Sequence, residues 1–224
     1  SMHLSDDGNR LIVLSDYDST EIDLSGQREI LITGWDTSTR KTLFRRRRPG
    51  FDSQLVFSAD ARVLAEPHSE GRSIPEGSPR YSMRLEDLAT GEQLLTFPTL
   101  QGQTWPRAFS ADGRLLASNT YTYKPGKDGK PGKQIYTIRL WETLTTSEVL
   151  SMPAADYNGV AFSRDNRLMA VTAPEHEIVV WDLALGRERR RFKGFDSEMI
   201  FWLSFSPDGR QLVSSLTDST LLIW

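Results

Sequence analysis

Short runs rich in Ile, Val, Leu and Thr recur along the chain, as in Tyr136–Trp141 and Glu177–Trp181, and each is bounded by turn residues. β-Branched and aliphatic side chains at such density pack well on a pleated surface. No window sustains an apolar period of about 3.6 residues, so the pattern predicts strands throughout and few or no helices. Asp-Gly-Arg pieces separate many of the runs, and Gly, Asn and Asp tolerate the positive φ of a tight turn there. A second kind of turn follows the Trp positions, at 36–40 and 88–92, and leads into a further short strand.

The pattern is periodic. Phe205-Ser206-Pro207-Asp208-Gly209-Arg210 recurs as Phe109-Ser110-Ala111-Asp112-Gly113-Arg114, as Phe162-Ser163-Arg164-Asp165-Asn166-Arg167 and as Phe57-Ser58-Ala59-Asp60-Ala61-Arg62. A weaker copy, Leu4-Ser5-Asp6-Asp7-Gly8-Asn9-Arg10, opens the chain. The leading residues stand 53, 52, 53 and 43 positions apart. A second landmark closes each β-type run: Trp35-Asp36, Leu85-Glu86, Trp141-Glu142, Trp181-Asp182 and Trp224. Each unit is thus expected to hold about four short strands joined by turns.

On these paired landmarks, which cover essentially the whole chain, the sequence resembles the WD-repeat family, whose units are blades of a β-propeller. The resemblance implies an all-β fold of four-stranded antiparallel blades, about five WD-like units in one domain over residues 1–224. The units fall at approximately 3–50, 51–103, 104–155, 156–198 and 199–224. It departs from the family where Gly-His precedes the innermost strand: Gly50-Phe51 and Gly194-Phe195 stand there instead. The family's Asp six residues before Trp is matched only by Asp218, with Glu29, Ile135 and Glu175 elsewhere. The His–Ser–Asp–Trp hydrogen-bond network is therefore expected to be mostly missing, and blade cohesion to rest on apolar packing. In family terms the chain starts at the tail of an innermost strand and stops before a last outer strand. That favours an arc belonging to a larger ring or longer parent, with a closed five-bladed ring and association between copies as the alternatives. Ser1-Met2 is read as an expression scar.

Composition narrows the chemistry. The 224 residues include no Cys, which excludes disulfides, Cys-based zinc sites, iron–sulfur clusters and thiol nucleophiles. Twenty-seven basic against 30 acidic residues give a net charge of −3, which disfavours a whole-domain grip on nucleic acid. No stretch approaches the roughly 18 apolar residues of a membrane helix, and Ser1–Asp6 lacks the start of a signal peptide. A soluble, cytoplasmic protein with no membrane partner is expected.

Three long insertions, 15–28, 66–81 and 119–134, fall in hairpins between second and third strands, all on one face of such a ring. Loops on a rigid scaffold are a usual place for binding. The candidate partner-binding face comprises Trp105, Tyr157 and Phe201 near the blade entrances, Tyr121 and Tyr123 on the third insertion, and Lys124, Lys127, Lys130 and Lys133 at its tip. That tip repeats Lys-Pro-Gly-Lys but is not a phosphate-binding loop, because its Gly spacing is one residue too long and no helix follows. Arg45–Arg48 and the run 187–193 sit on expected outermost strands, where charge guards an edge against strand-to-strand aggregation. Asp16, Asp18, Glu21 and Asp23 lack the Gly and Glu of a calcium loop and are expected to form a solvated acidic hairpin. His3, His68 and His176 are isolated, and no catalytic, cofactor or metal constellation emerges. The expected function is a non-catalytic protein- or peptide-binding scaffold with a protein or peptide partner. Further blades of a parent, or another copy, are candidate neighbours for its ends. The alternative is an enzyme or small-ligand sensor that uses the central channel.

Overall fold

The computed structural model describes residues 1–16, 29–49, 55–69, 80–126, 132–155, 159–193 and 200–224. The period in the sequence becomes five antiparallel sheets strung in chain order. The first blade is β1 (Met2–Leu4), β2 (Arg10–Asp16), β3 (Glu29–Asp36) and β4 (Thr42–Pro49). The second is β5 (Val56–Phe57), β6 (Val63–Ser69), β7 (Arg80–Asp87) and β8 (Gln93–Thr96), with β9 (Leu100–Gln101) also pairing β7. The third holds β10 (Gln103–Phe109), β11 (Leu115–Lys124), β12 (Lys133–Glu142) and β13 (Glu148–Pro153). β14 (Val160–Phe162), β15 (Leu168–Ala173), β16 (Glu177–Asp182) and β17 (Arg187–Phe192) make the fourth. The fifth shows three strands among the described residues, β18 (Ile200–Phe205), β19 (Leu212–Leu216) and β20 (Leu221–Ile223). The only described helical turn is a 3-10 turn at Pro174–His176.

One hydrogen-bonded device explains the repeated Ser-x-Asp-Gly-Arg motif. In the third blade Ser110 Oγ donates to Asp112 Oδ1 at 2.7 Å and accepts from the Leu115 N–H at 2.9 Å, while the Arg114 N–H donates to Asp112 at 3.1 Å. The same Ser-to-Asp bond, at 2.6 Å, closes the turn at Ser5, Ser58, Ser163 and Ser206. Hydrogen bonds first from Ser5 and then from Asn9 hold the Asp7 carboxyl at about 2, below its ordinary value. Asp36, in the turn after Trp35, is likewise lowered to about 2, chiefly by the Ser38 hydroxyl. These turns define one end of the propeller, the turn end. The hairpins between second and third strands and the crossings between blades lie at the other, the loop end.

Strand register corrects one landmark. Trp35, Trp141 and Trp181 each oppose the second strand's Leu11, Leu116 and Met169, next to a register shift against the outer strand. In the second blade the residue in that place, opposite Leu64 and beside the same shift, is Glu86, so the landmark pair is Glu86-Asp87 and not Leu85-Glu86. The expected loss of the family hydrogen-bond network is partial. Trp141 Nε1 donates to Ser118 Oγ at 2.8 Å and Trp224 Nε1 to Ser214 Oγ at 3.1 Å. Val171 takes the corresponding place in the fourth blade, and Trp181 Nε1 is buried without a partner.

The outer strands also differ from expectation. On β4, Arg45 and Arg47 are exposed, but Arg46 and Arg48 turn toward the second blade. Arg46 Nη2 reaches Glu86 Oε1 at 2.6 Å and Arg48 Nη1 reaches it at 3.0 Å, and Arg48 also pairs with Glu66. Half of the Arg45–Arg48 run is thus an interblade ion cluster, because a period of two sends alternate side chains to opposite faces. Arg191 and Lys193 similarly flank the buried Glu177, Lys193 at 2.8 Å.

Apolar packing joins neighbours in sequence. Ile12 and Ile32 meet Leu64 and Leu88 between the first two blades, and Met83 and Phe97 meet Leu116 and Trp141 at the next interface. Ile138 and Leu140 pack on Met169 and Val171, and Ile178 and Val180 on Ile200 and Leu203. Among the described residues no comparable cluster joins the first blade to the fifth. Met2 and Leu4 on β1, and Trp202, Leu221 and Ile223 on the fifth blade, are exposed. Residues of all five blades nevertheless line one central cavity.

Candidate functional site

At the loop end, the crossing from the second blade to the third sets the geometry. The outer strand of the second blade is broken: β8 and β9 both pair β7, with buried Phe97 between them. The chain then turns through Gly102, whose φ is +92°, and enters β10. A Cβ there would collide with the Tyr121 carbonyl oxygen, so this close approach needs glycine. The crossing places Gln103 opposite Tyr121 and Trp105 opposite Asn119.

Trp105 is half-buried and shares a groove of about 300 Å³ with Pro67, His68, Ser69, Tyr81 and Gln103. Gln103 Nε2 lies 3.4 Å from the Tyr81 hydroxyl. His68 stands beside the Arg84 guanidinium. Next to Trp105 in register, the Asn119 side-chain oxygen is buried without a partner. The groove therefore offers an aromatic wall and amide, hydroxyl and imidazole groups. Among the described residues no group of three or more His, Asp or Glu side chains could hold a metal ion.

Beyond the start of β10, the β11–β12 hairpin continues unaccompanied. Thr122, Tyr123 and Lys124 pair with Ile135, Gln134 and Lys133, which carries the hairpin roughly 10 Å past Tyr121. Tyr121 tilts against Tyr136 with ring centroids 5.4 Å apart. Tyr123 is 54% exposed, and its ring lies where a side chain at Gly132 would stand. Lys124 and Lys133 are exposed and directly opposite each other.

The structure thus places Trp105, Tyr121, Tyr123, Lys124 and Lys133 along one blade at the loop end, with Trp105 at its base and the lysines at its tip. Tyr157, Lys127 and Lys130 lie outside the described residues, as do Asp18, Glu21 and Asp23 of the acidic hairpin. Phe201 is on β18, and its side chain is outside the described set. Tyr81 and Gln103 were not singled out in the sequence, and His68 was read there only as an isolated histidine. His68 lies within the second insertion and Tyr81 ends it, and Gln103 is brought to them by the Gly102 turn, which no local pattern announces.

The family described as "WD domain, G-beta repeat" matches residues 186–224. That stretch runs from β17, the outer strand of the fourth blade, through the three strands of the fifth, which is the phase expected when a sequence repeat straddles two blades. Residues 186–224 thus match a WD repeat, within a propeller of five blades. It is also 34% identical over 97 residues to Coronin-7 of Bos taurus, a similarity that covers 39% of this chain. The match spans 10% of the length of that relative. WD-repeat propellers generally act as protein-interaction scaffolds and are typically non-catalytic. No helix among the described residues is long and apolar enough to cross a membrane.

Proposed function

We propose that this WD-repeat propeller is a non-catalytic platform that binds a protein or peptide at its loop end. The observation that carries the reading is the groove between the second and third blades, where half-buried Trp105 and Tyr81 flank Pro67 and Gln103. Aromatic side chains held on a rigid scaffold supply large contact area at small entropic loss and dominate interface energies. The projecting β11–β12 hairpin extends this surface, with Tyr123 on its flank and Lys124 and Lys133 at its tip for acidic groups of the partner. Tyr157, Phe201, Lys127 and Lys130 belong to the same proposed face.

The test is affinity capture from source lysate with three baits: the full chain, a Trp105→Ala variant and a variant lacking residues 124–133, each shown folded by circular dichroism. A protein retained by the full chain and depleted about tenfold on either variant supports this face. Equal capture by all three baits overturns it.

A further inference from the structure

At the opposite end, the five Ser-x-Asp turns ring the channel. The residue after Ser in each copy, namely Asp6, Ala59, Ala111, Arg164 and Pro207, lines the same cavity of about 560 Å³. Its wall carries Phe57, Phe109, Phe162 and Phe205, all half-buried, so part of each ring remains open to the cavity. Those residues recur because the repeat recurs. The charges do not.

Arg107 breaks the pattern. It is the extra residue of a β-bulge, for the register of β10 against β11 shifts between Pro106 and Ala108. A bulge re-aims one side chain, and here the residue it frees joins the cavity wall. Arg164 is the second cation, placed by the turn of the fourth blade where the third has Ala111. Among the described residues neither guanidinium has a hydrogen-bond or ion-pair partner, whereas Arg46, Arg48, Arg139 and Arg191 all pair with carboxylates. Neighbouring groups at the cavity wall partly desolvate Arg107 and lower its pKa from the ordinary guanidinium value, but the residue, like Arg164, is exposed, and the group stays cationic. The counter-charge at the cavity, Asp6, belongs to the first blade and lies near His3, which stacks on Phe57 and bonds the Ser58 carbonyl. Two unpaired guanidiniums on adjacent blades thus line the same cavity as four phenylalanines, a combination suited to an oxyanion attached to an apolar body.

We propose that the turn-end mouth of the channel binds a carboxylate or phosphate carried on an aromatic or aliphatic group, with Arg107 and Arg164 holding the anion and the phenylalanine wall taking the body. This site is distinct from the loop-end face and stands whether or not that face binds a protein.

Phenylacetate, phenyl phosphate, 2-phenylethanol and inorganic phosphate, titrated into the full chain and followed by NMR shifts or calorimetry, test it. At least one aryl anion should bind about tenfold more tightly than both neutral 2-phenylethanol and inorganic phosphate. Whichever aryl anion binds better identifies the natural head group as carboxylate or phosphate. The Arg107→Gln/Arg164→Gln variant should lose about tenfold in affinity with an unchanged thermal midpoint, and binding should weaken with added salt. Arg167→Gln/Arg210→Gln, on turn arginines outside the cavity, should bind as the unaltered chain does. Equal binding of the neutral alcohol, full affinity in the Arg107/Arg164 variant, or no binding of either aryl anion by about 10 mM would each overturn the assignment.

Discussion

Gly102 and Gly113 both hold positive φ, +92° and +70°, but only one of them is crowded. A Cβ on Gly113 meets nothing within 4 Å, so Gly113→Ala should cost about 1 kcal/mol, the backbone term alone. Gly102→Ala adds a collision with the Tyr121 backbone and should cost about 3 kcal/mol. Urea midpoints of the two variants give the comparison, and equal losses would show that the crossing relaxes freely. Ser118→Ala strands the buried indole N–H of Trp141 and should cost about 2 kcal/mol in the same assay. The turn device was legible in the sequence because Ser, Asp and Gly each have a local reason to stand there. Ala61 takes the glycine position at φ 52°, buried in a cluster with Ile12 and Ile32 of the first blade, and contacts that distant in sequence cannot be seen from the motif.

Among elements, the arginine-rich strand β4 separates two roles that a run of four identical letters conceals. Arg46 and Arg48 are held against Glu86 and Glu66 with side chains under a fifth exposed, at 13–17% for the arginines. Glu86→Gln leaves two guanidiniums short of a charge at the interface between the first two blades and should cost about 2 kcal/mol, below the cost of breaking a fully buried pair. Arg45→Gln, on the exposed side, should change stability by less than about 0.5 kcal/mol. Similar losses for the two would return β4 to a purely edge-guarding role. Strand existence and order were readable from composition and period. The second blade's landmark was displaced by one residue, because with Glu86 in the Trp position only the ladder shows which residue faces Leu64.

Across the whole molecule, stability should fall in acid by a route set by the turns. Asp7 and Asp36 have folded values of about 2, and Asp165 and Asp208 are lowered as well, first by the Ser163 and Ser206 hydroxyls. A folded value below the unfolded one adds stability above the unfolded value, and that contribution disappears as protons bind. Denaturant midpoints should therefore hold down to about pH 4 and decline from there toward about pH 2. A flat profile through that window would remove these carboxylates from the account. Hydrogen exchange should rank the blades: each interior blade packs on two neighbours and the fifth, among the described residues, on one, so amides of β19 and β20 should exchange before those of β15 and β16. The proposed loop-end face is the part least readable in advance, since its groove joins residues from 67 to 105 that meet only after the chain has crossed between blades.

The offset between repeat and blade also bears on how such a chain can grow or shrink. A copy that begins with one blade's outer strand and supplies three strands of the next can be duplicated or lost whole, and the following copy's outer strand then completes the sheet left behind. No blade is left ragged by such an exchange. The partnership of Arg46 and Arg48 with Glu66 and Glu86 works against it: those arginines answer carboxylates in one particular neighbour. The repeat register thus lets a copy be exchanged whole, while the charges of the first two blades fit one order.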